Sequence, residues 1–138
     1  MSSFWVFPGQ GAQQPGMLHT LPADPLVGEC LREASDALNE DVLDLDTPDA
    51  LQSTRAVQLC LLIAGVACSR LLMAQNCTPD YVAGLSIGAY PAAVIAGALS
   101  FSDAVRLVAL RGELMQSAYP TGYGMTALIG LDQTTVEN

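Results

Sequence analysis

Apolar residues along the chain follow two rhythms. Phe4, Trp5, Val6 and Phe7 form a short unbroken run stopped by Pro8 and Gly9, the pattern of a short buried strand. Tyr81, Val82 and Ala83 form a second such run. Between them, Leu26, Cys30, Leu31, Ala34 and Leu38 recur at helical spacing, with Asp24 as cap and Pro25 at the first helical position, which predicts a helix to about Asn39. Residues 39–49 are acidic and turn-like. Ser53 or Thr54 can cap a long helix to about Gln75, apolar on most sides and therefore expected to be largely buried. Residues 89–98 predict an Ala-rich helix that tolerates Pro91 in its first turn. Ser102 is the expected cap of a last helix over 103–118, followed by a turn at 120–124 and a strand at 125–131. Strands alternating with helices predict an α/β chain, a parallel sheet with helices on its faces.

Composition narrows the possibilities. The 138 residues are enough for one domain with a core, and 51% hydrophobic against 14% charged residues is a globular balance. A net charge of -9 with only five Lys and Arg argues against a nucleic-acid partner. The longest apolar stretch, residues 59–67, is too short for a membrane span, and no basic segment followed by an apolar one opens the chain, so a cytoplasmic protein without membrane attachment is expected. Cys30, Cys60, Cys68 and Cys77 have no C-x-x-C spacing and read as reduced, buried thiols. His19 is the single histidine, so no metal site is expected. It falls in a Pro/Gly-rich loop and reads as an exposed loop residue, not a base.

Two features carry chemistry. Gly84, Ser86 and Gly88 form Gly-x-Ser-x-Gly between a predicted strand and a predicted helix. A strand-to-helix elbow lifts a serine clear of the sheet, needs glycine two residues either side, and aims the helix N-terminus at the serine. The plain alternative is a structural turn with an exposed serine. The second feature is Arg111, in the middle of a helix face made by Ala104, Leu107, Val108 and Met115. A guanidinium there must be paired or line a polar cavity. An internal salt bridge and a clamp for a substrate carboxylate both satisfy that need.

The run Phe7-Pro8-Gly9-Gln10-Gly11-Ala12-Gln13 resembles the opening signature of the malonyl-CoA:acyl carrier protein transacylases. Gly84-Leu85-Ser86-Ile87-Gly88 resembles that family's elbow, and the segment from Asp103 to Met115 its arginine helix, with 25 residues separating serine from arginine. The resemblance implies that Ser86 is the nucleophile, carrying malonate as an ester. It implies that the backbone N–H groups of Gln10 and Ile87 form the oxyanion hole and that Arg111 holds the malonyl carboxylate. It also implies an α/β-hydrolase-like parallel-sheet core, its first half in residues 1–124, with a small ferredoxin-like subdomain beginning at 125–138. No bound cofactor is implied. The substrate is malonyl-CoA and the acceptor the phosphopantetheine-type thiol of an acyl carrier protein.

This sequence departs from the family pattern at Leu85, where a histidine is usual, and at Ala56-Val57-Gln58, in place of a Gln-Pro pair. With Ala89-Tyr90-Pro91, these details look most like the epsilon-type subunit of malonate decarboxylase, whose acceptor is the delta-type carrier subunit. The transacylase of fatty acid synthesis is the alternative, followed by a serine esterase and by a non-catalytic docking piece. The family's base is a histidine about a hundred residues beyond the serine, past Asn138. A serine without its base is a poor nucleophile, so these residues alone are expected to be almost inactive.

Overall fold

The computed structural model describes residues 4–84 and 86–118. Leu85, the turn expected at 120–124 and the strand expected at 125–131 lie outside them, and with them the whole of the ferredoxin-like start at 125–138. Strand β1 is Phe4–Phe7 and β2 is Tyr81–Gly84. The two pair in parallel, Phe4 opposite Tyr81 and Phe7 opposite Gly84, so both C-terminal ends lie at the same edge. Everything between them is crossover, as the alternation of strands and helices predicted.

Helix α1 is Pro25–Leu38. The Asp24 carboxylate accepts from the Leu26 N–H, Pro25 opens the first turn, and Asn39 closes the helix in a left-handed conformation. A 3₁₀ turn follows at Val42–Asp46, with Val42, Leu45 and Asp46 buried. Helix α2, Thr54–Ala74, starts at Ser53, whose Oγ accepts from the Ala56 N–H. Its 21 residues are long and apolar enough to cross a bilayer by length and composition, which corrects the expectation drawn from the shorter run 59–67. Here it is the central core element. Leu59, Leu62, Ile63 and Val66 are fully buried, and α1 and the last helix, Phe101–Ala118, pack on it.

Helix α3 is Ala89–Ile95, shorter than the predicted 89–98. Gly97, at φ 81°, turns the chain there. Helix α4 is Phe101–Ala118. It begins two residues before the predicted start, so the cap is Ser100, whose Oγ accepts from the Asp103 N–H, and Ser102 lies inside the first turn.

Three burial expectations fail. β1 is not a buried strand, because only Phe7 is enclosed while Phe4 and Val6 are exposed. Leu107 is exposed, although it was placed on the inner face of α4 with Ala104 and Val108, which are buried. Cys30 and Cys60 are buried and free, as expected, but Cys68 and Cys77 are exposed. Cys68 sits on the outward turn of an almost uniformly apolar helix, where periodicity cannot distinguish inside from outside. Cys77 lies in the loop after α2.

Candidate active site

The parallel register brings two loops to one edge: the one leaving β1 at Phe7 and the one leaving β2 at Gly84. Ser86 opens a 3₁₀ turn, Ser86–Gly88, that leads directly into α3. Its φ is 53°, a left-handed conformation that a non-glycine residue adopts at a cost of about 1–3 kcal/mol. The flanking glycines make that turn possible. A Cβ on Gly84 would run into the backbone carbonyl of Gly88 and come within 2.6 Å of the Ala89 nitrogen. A Cβ on Gly88 would run into the Phe7 carbonyl oxygen, with the Pro8 oxygen 3.0 Å away. These contacts are with backbone and cannot relax by rotamer change. Ser86 is exposed at this edge while Ile87 is fully buried, which anchors the turn in the core. The elbow expected from the glycine spacing is therefore present, strain included.

Arg111 reaches it from α4. Its Nη2 donates to the Ser86 Oγ at 2.8 Å. Its guanidinium carbon lies 5.6 Å from the centroid of the Tyr90 ring, a cation–π contact that holds the fork over the first turn of α3. Gly112, the next residue, lets α4 approach α2 closely, since a Cβ there would sit 2.5 Å from the Arg55 Cα. Of the two open readings of Arg111, the internal salt bridge is not found. Arg55, Arg70 and Arg106 each reach a carboxylate, whereas Arg111 reaches none among the described residues. Its Nη1 is buried and has no hydrogen-bond partner there. A guanidinium nitrogen kept from water and left without an acceptor is costly unless an anion completes it.

Gln10 follows β1 in the turn after Pro8, and the tight approach of Gly88 to Phe7 and Pro8 sets that loop beside the elbow. The site residues Gly84, Ser86, Ile87, Gly88 and Arg111 are thus brought together, with Gln10 on the adjoining loop. Sequence reasoning missed one contact of this cluster, Tyr90, and one buried polar residue of α2, Gln58. Tyr90 was read only as part of a subtype pattern. Gln58 is fully buried, its Nε2 donating to the Met115 Sδ at 3.2 Å and its Oε1 without a partner among the described residues. A lone glutamine on a helix that is apolar all round was the available signal. His19 is about half exposed, as read, yet its Nδ1 lies 2.7 Å from the buried Asp46 Oδ2. No cluster that could hold a metal ion occurs among the described residues.

A serine on a strained elbow thus touches a guanidinium whose other terminal nitrogen has no acceptor among the described residues. Residues 4–137 match the acyl transferase domain, and the chain belongs to that family. It is 45% identical over 140 residues to the malonyl CoA-acyl carrier protein transacylase of Haemophilus influenzae, covering 96% of this chain and 45% of that protein. Among solved structures, an acyl-carrier-protein S-malonyltransferase from Burkholderia pseudomallei superposes with a TM-score of 0.82 at 44% identity, over 99% of this chain and 46% of the other. A malonyl transacylase in complex with the holo acyl carrier protein of a type II polyketide synthase superposes at 0.79 with 42% identity, over 87% and 40% of the two chains. The chain thus spans about half the length of the relatives it matches.

Proposed function

We propose that this chain is the nucleophile-bearing half of a malonyl-CoA:acyl carrier protein transacylase. The observation that carries the reading is the buried Nη1 of Arg111, without a hydrogen-bond partner among the described residues, on a guanidinium whose other terminal nitrogen touches Ser86. In this reading Ser86 attacks the thioester of malonyl-CoA and coenzyme A leaves as the thiol. The Ser86 proton passes to a base supplied by the rest of the domain. Malonate stays as an ester on Ser86 until the thiol of an acyl carrier protein takes it. The malonyl carboxylate ends three carbons from Oγ, close to where the fork of Arg111 already lies, and two charge-assisted hydrogen bonds hold it. The N–H groups of Gln10 and Ile87 stabilise the oxyanion in both half-reactions. No cofactor is needed, and the reaction suits a cytoplasmic setting. Residues 1–124 are the first half of an α/β-hydrolase-like core, and 125–138 begin its ferredoxin-like subdomain.

The names of the relatives favour transfer to a general acyl carrier protein, the reading adopted here. A narrower one, the epsilon-type subunit of malonate decarboxylase acting on its delta-type carrier, rests on Leu85, Ala56-Val57-Gln58 and Ala89-Tyr90-Pro91. A choice of acceptor between the two carrier proteins separates them.

Competition between malonyl-CoA and acetyl-CoA tests the clamp, on the polypeptide continued to the relatives' full length. Arg111→Ala removes hydrogen bonds to a charged group worth about 3 kcal/mol together, so malonyl transfer should fall on the order of 10²-fold. Acetyl transfer, which has no carboxylate to lose, should not fall. Equal loss for both substrates, or no loss for either, would contradict the reading, and the second result would favour an esterase.

A further inference from the structure

Asp46 is 1% exposed and has no Lys or Arg partner among the described residues. It ends the 3₁₀ turn Val42–Asp46, and its carboxylate is turned onto the loop that leaves β1. One oxygen, Oδ2, accepts from the Leu18 N–H at 2.9 Å and the His19 N–H at 3.2 Å, and meets the His19 Nδ1 at 2.7 Å. Its backbone carbonyl accepts from the Gly16 N–H at 2.8 Å. Leu18 is itself a core residue at 2% exposure, so the held segment is fixed in the protein and not merely laid on it. The nearer end of the same loop is fixed by the pairing of Phe7 with Gly84 and by the packing of Gly88 against Phe7 and Pro8. Gln10 lies between these two fixed ends. The sequence in between is Gly-rich, with Gly11 at φ 113° and Gly16 at φ 76°, and has little stiffness of its own.

We propose that Asp46, with His19, is a positioning pair for the oxyanion loop. The buried carboxylate clamps residues 16–19 and so fixes where the Gln10 N–H points. A buried carboxylate is stable without a cationic partner when several N–H groups converge on it, and those groups here all come from one loop. The effect on rate rests on the transacylase reading above; the effect on the loop does not.

Two measurements separate these claims. Amide hydrogen exchange on the 138-residue chain reads the clamp. Asp46→Ala should speed exchange of residues 9–19 by roughly 10-fold or more, with the α2 amides unchanged, because local opening has its own free energy. Asp46→Asn, which keeps an acceptor oxygen at the same place, should restore protection. Should Asp46→Ala not fold, His19→Ala is read in its place, and a several-fold rise confined to residues 16–20 is expected. Unchanged exchange in the folded variant, or a rise spread evenly over the chain, overturns the clamp. The second measurement is the rate of Ser86 malonylation in the longer polypeptide at saturating malonyl-CoA. Asp46→Ala should lower it roughly 10-fold, as expected for a donor moved by a fraction of an ångström, with the half-saturating concentration unchanged and Asp46→Asn near wild type. A folded Asp46→Ala variant acylating at the wild-type rate overturns the positioning role. Wild-type protein that takes up no malonyl group while its exchange behaves as stated rejects the transacylase reading and leaves the clamp standing.

Discussion

Burial decides the chemistry of individual residues in this chain more than their identity does. Four cysteines occur, but only Cys30 and Cys60 are enclosed, and loss of water pushes both thiols from 9.0 to about 12, with the charge of Asp46 adding to the effect at Cys60 and that of Arg70 opposing it at Cys30. Native-state alkylation near neutral pH should therefore modify the exposed Cys77, and more slowly Cys68, whose partly desolvated thiol is also pushed up, while sparing Cys30 and Cys60, as read by peptide mass mapping. Modification of Cys30 or Cys60 in folded protein would contradict the packing of α1 on α2. The same burial fixes a sign for alkaline stability. The folded chain holds two protons that the unfolded chain releases from about pH 9, so this contribution is complete below pH 9 and lost as pH rises through about 12. At this scale Ser86 and Arg111 were legible, because glycine spacing and a charge on an apolar stripe are local signals. Asp46 and Tyr90 were not, since their contacts lie 21 to 30 positions away in the chain and leave no local pattern, and Gln58, whose partner Met115 is 57 positions away, left only its isolation on an apolar helix as a signal.

The elements are set by caps and close approaches. Asp24, Pro25 and Asn39 bound α1 as the sequence led one to expect, because each acts within a turn of its own position. The start of α4 was misplaced by two residues, since Ser100 and Ser102 are equally good caps in sequence and only the Ser100 Oγ contact with the Asp103 N–H tells them apart. The elbow depends on a stricter condition. Gly84→Ala should destabilise the fold by about 3 kcal/mol, the upper end of what overpacking costs, because its new methyl group runs into the Gly88 carbonyl and the Ala89 nitrogen. Gly28→Ala is the control: it lies on α1 with open space around it, and it should be neutral or slightly stabilising. Denaturant midpoints for the two variants check this, and an unchanged midpoint for Gly84→Ala would mean the strained turn is not the native one.

Over the whole molecule, the sheet described here has two strands, and large apolar side chains remain uncovered around it. Phe4, Val6 and Tyr81 are exposed on the strands, and Leu107, Leu110 and Leu114 form a stripe along the outside of α4. A cavity of about 450 Å³ opens between β1 and α2, lined by Trp5, Phe7, Leu61 and Leu72 among others. The unbroken run at β1 and the helical face through Leu107 predicted Phe4, Val6 and Leu107 as core, and the relatives are about twice as long as this chain. In the proposed reading, those faces receive the rest of the domain, which also brings the base.

The most direct test of that reading is intact mass after incubation with malonyl-CoA, comparing the longer polypeptide, the same polypeptide with Ser86→Ala, and the 138-residue chain. A gain of one malonyl group on the longer polypeptide, absent from Ser86→Ala and nearly absent from the short chain, is the predicted result. No gain on the longer polypeptide, or an equal gain on Ser86→Ala, would make the elbow a structural turn and contradict the account.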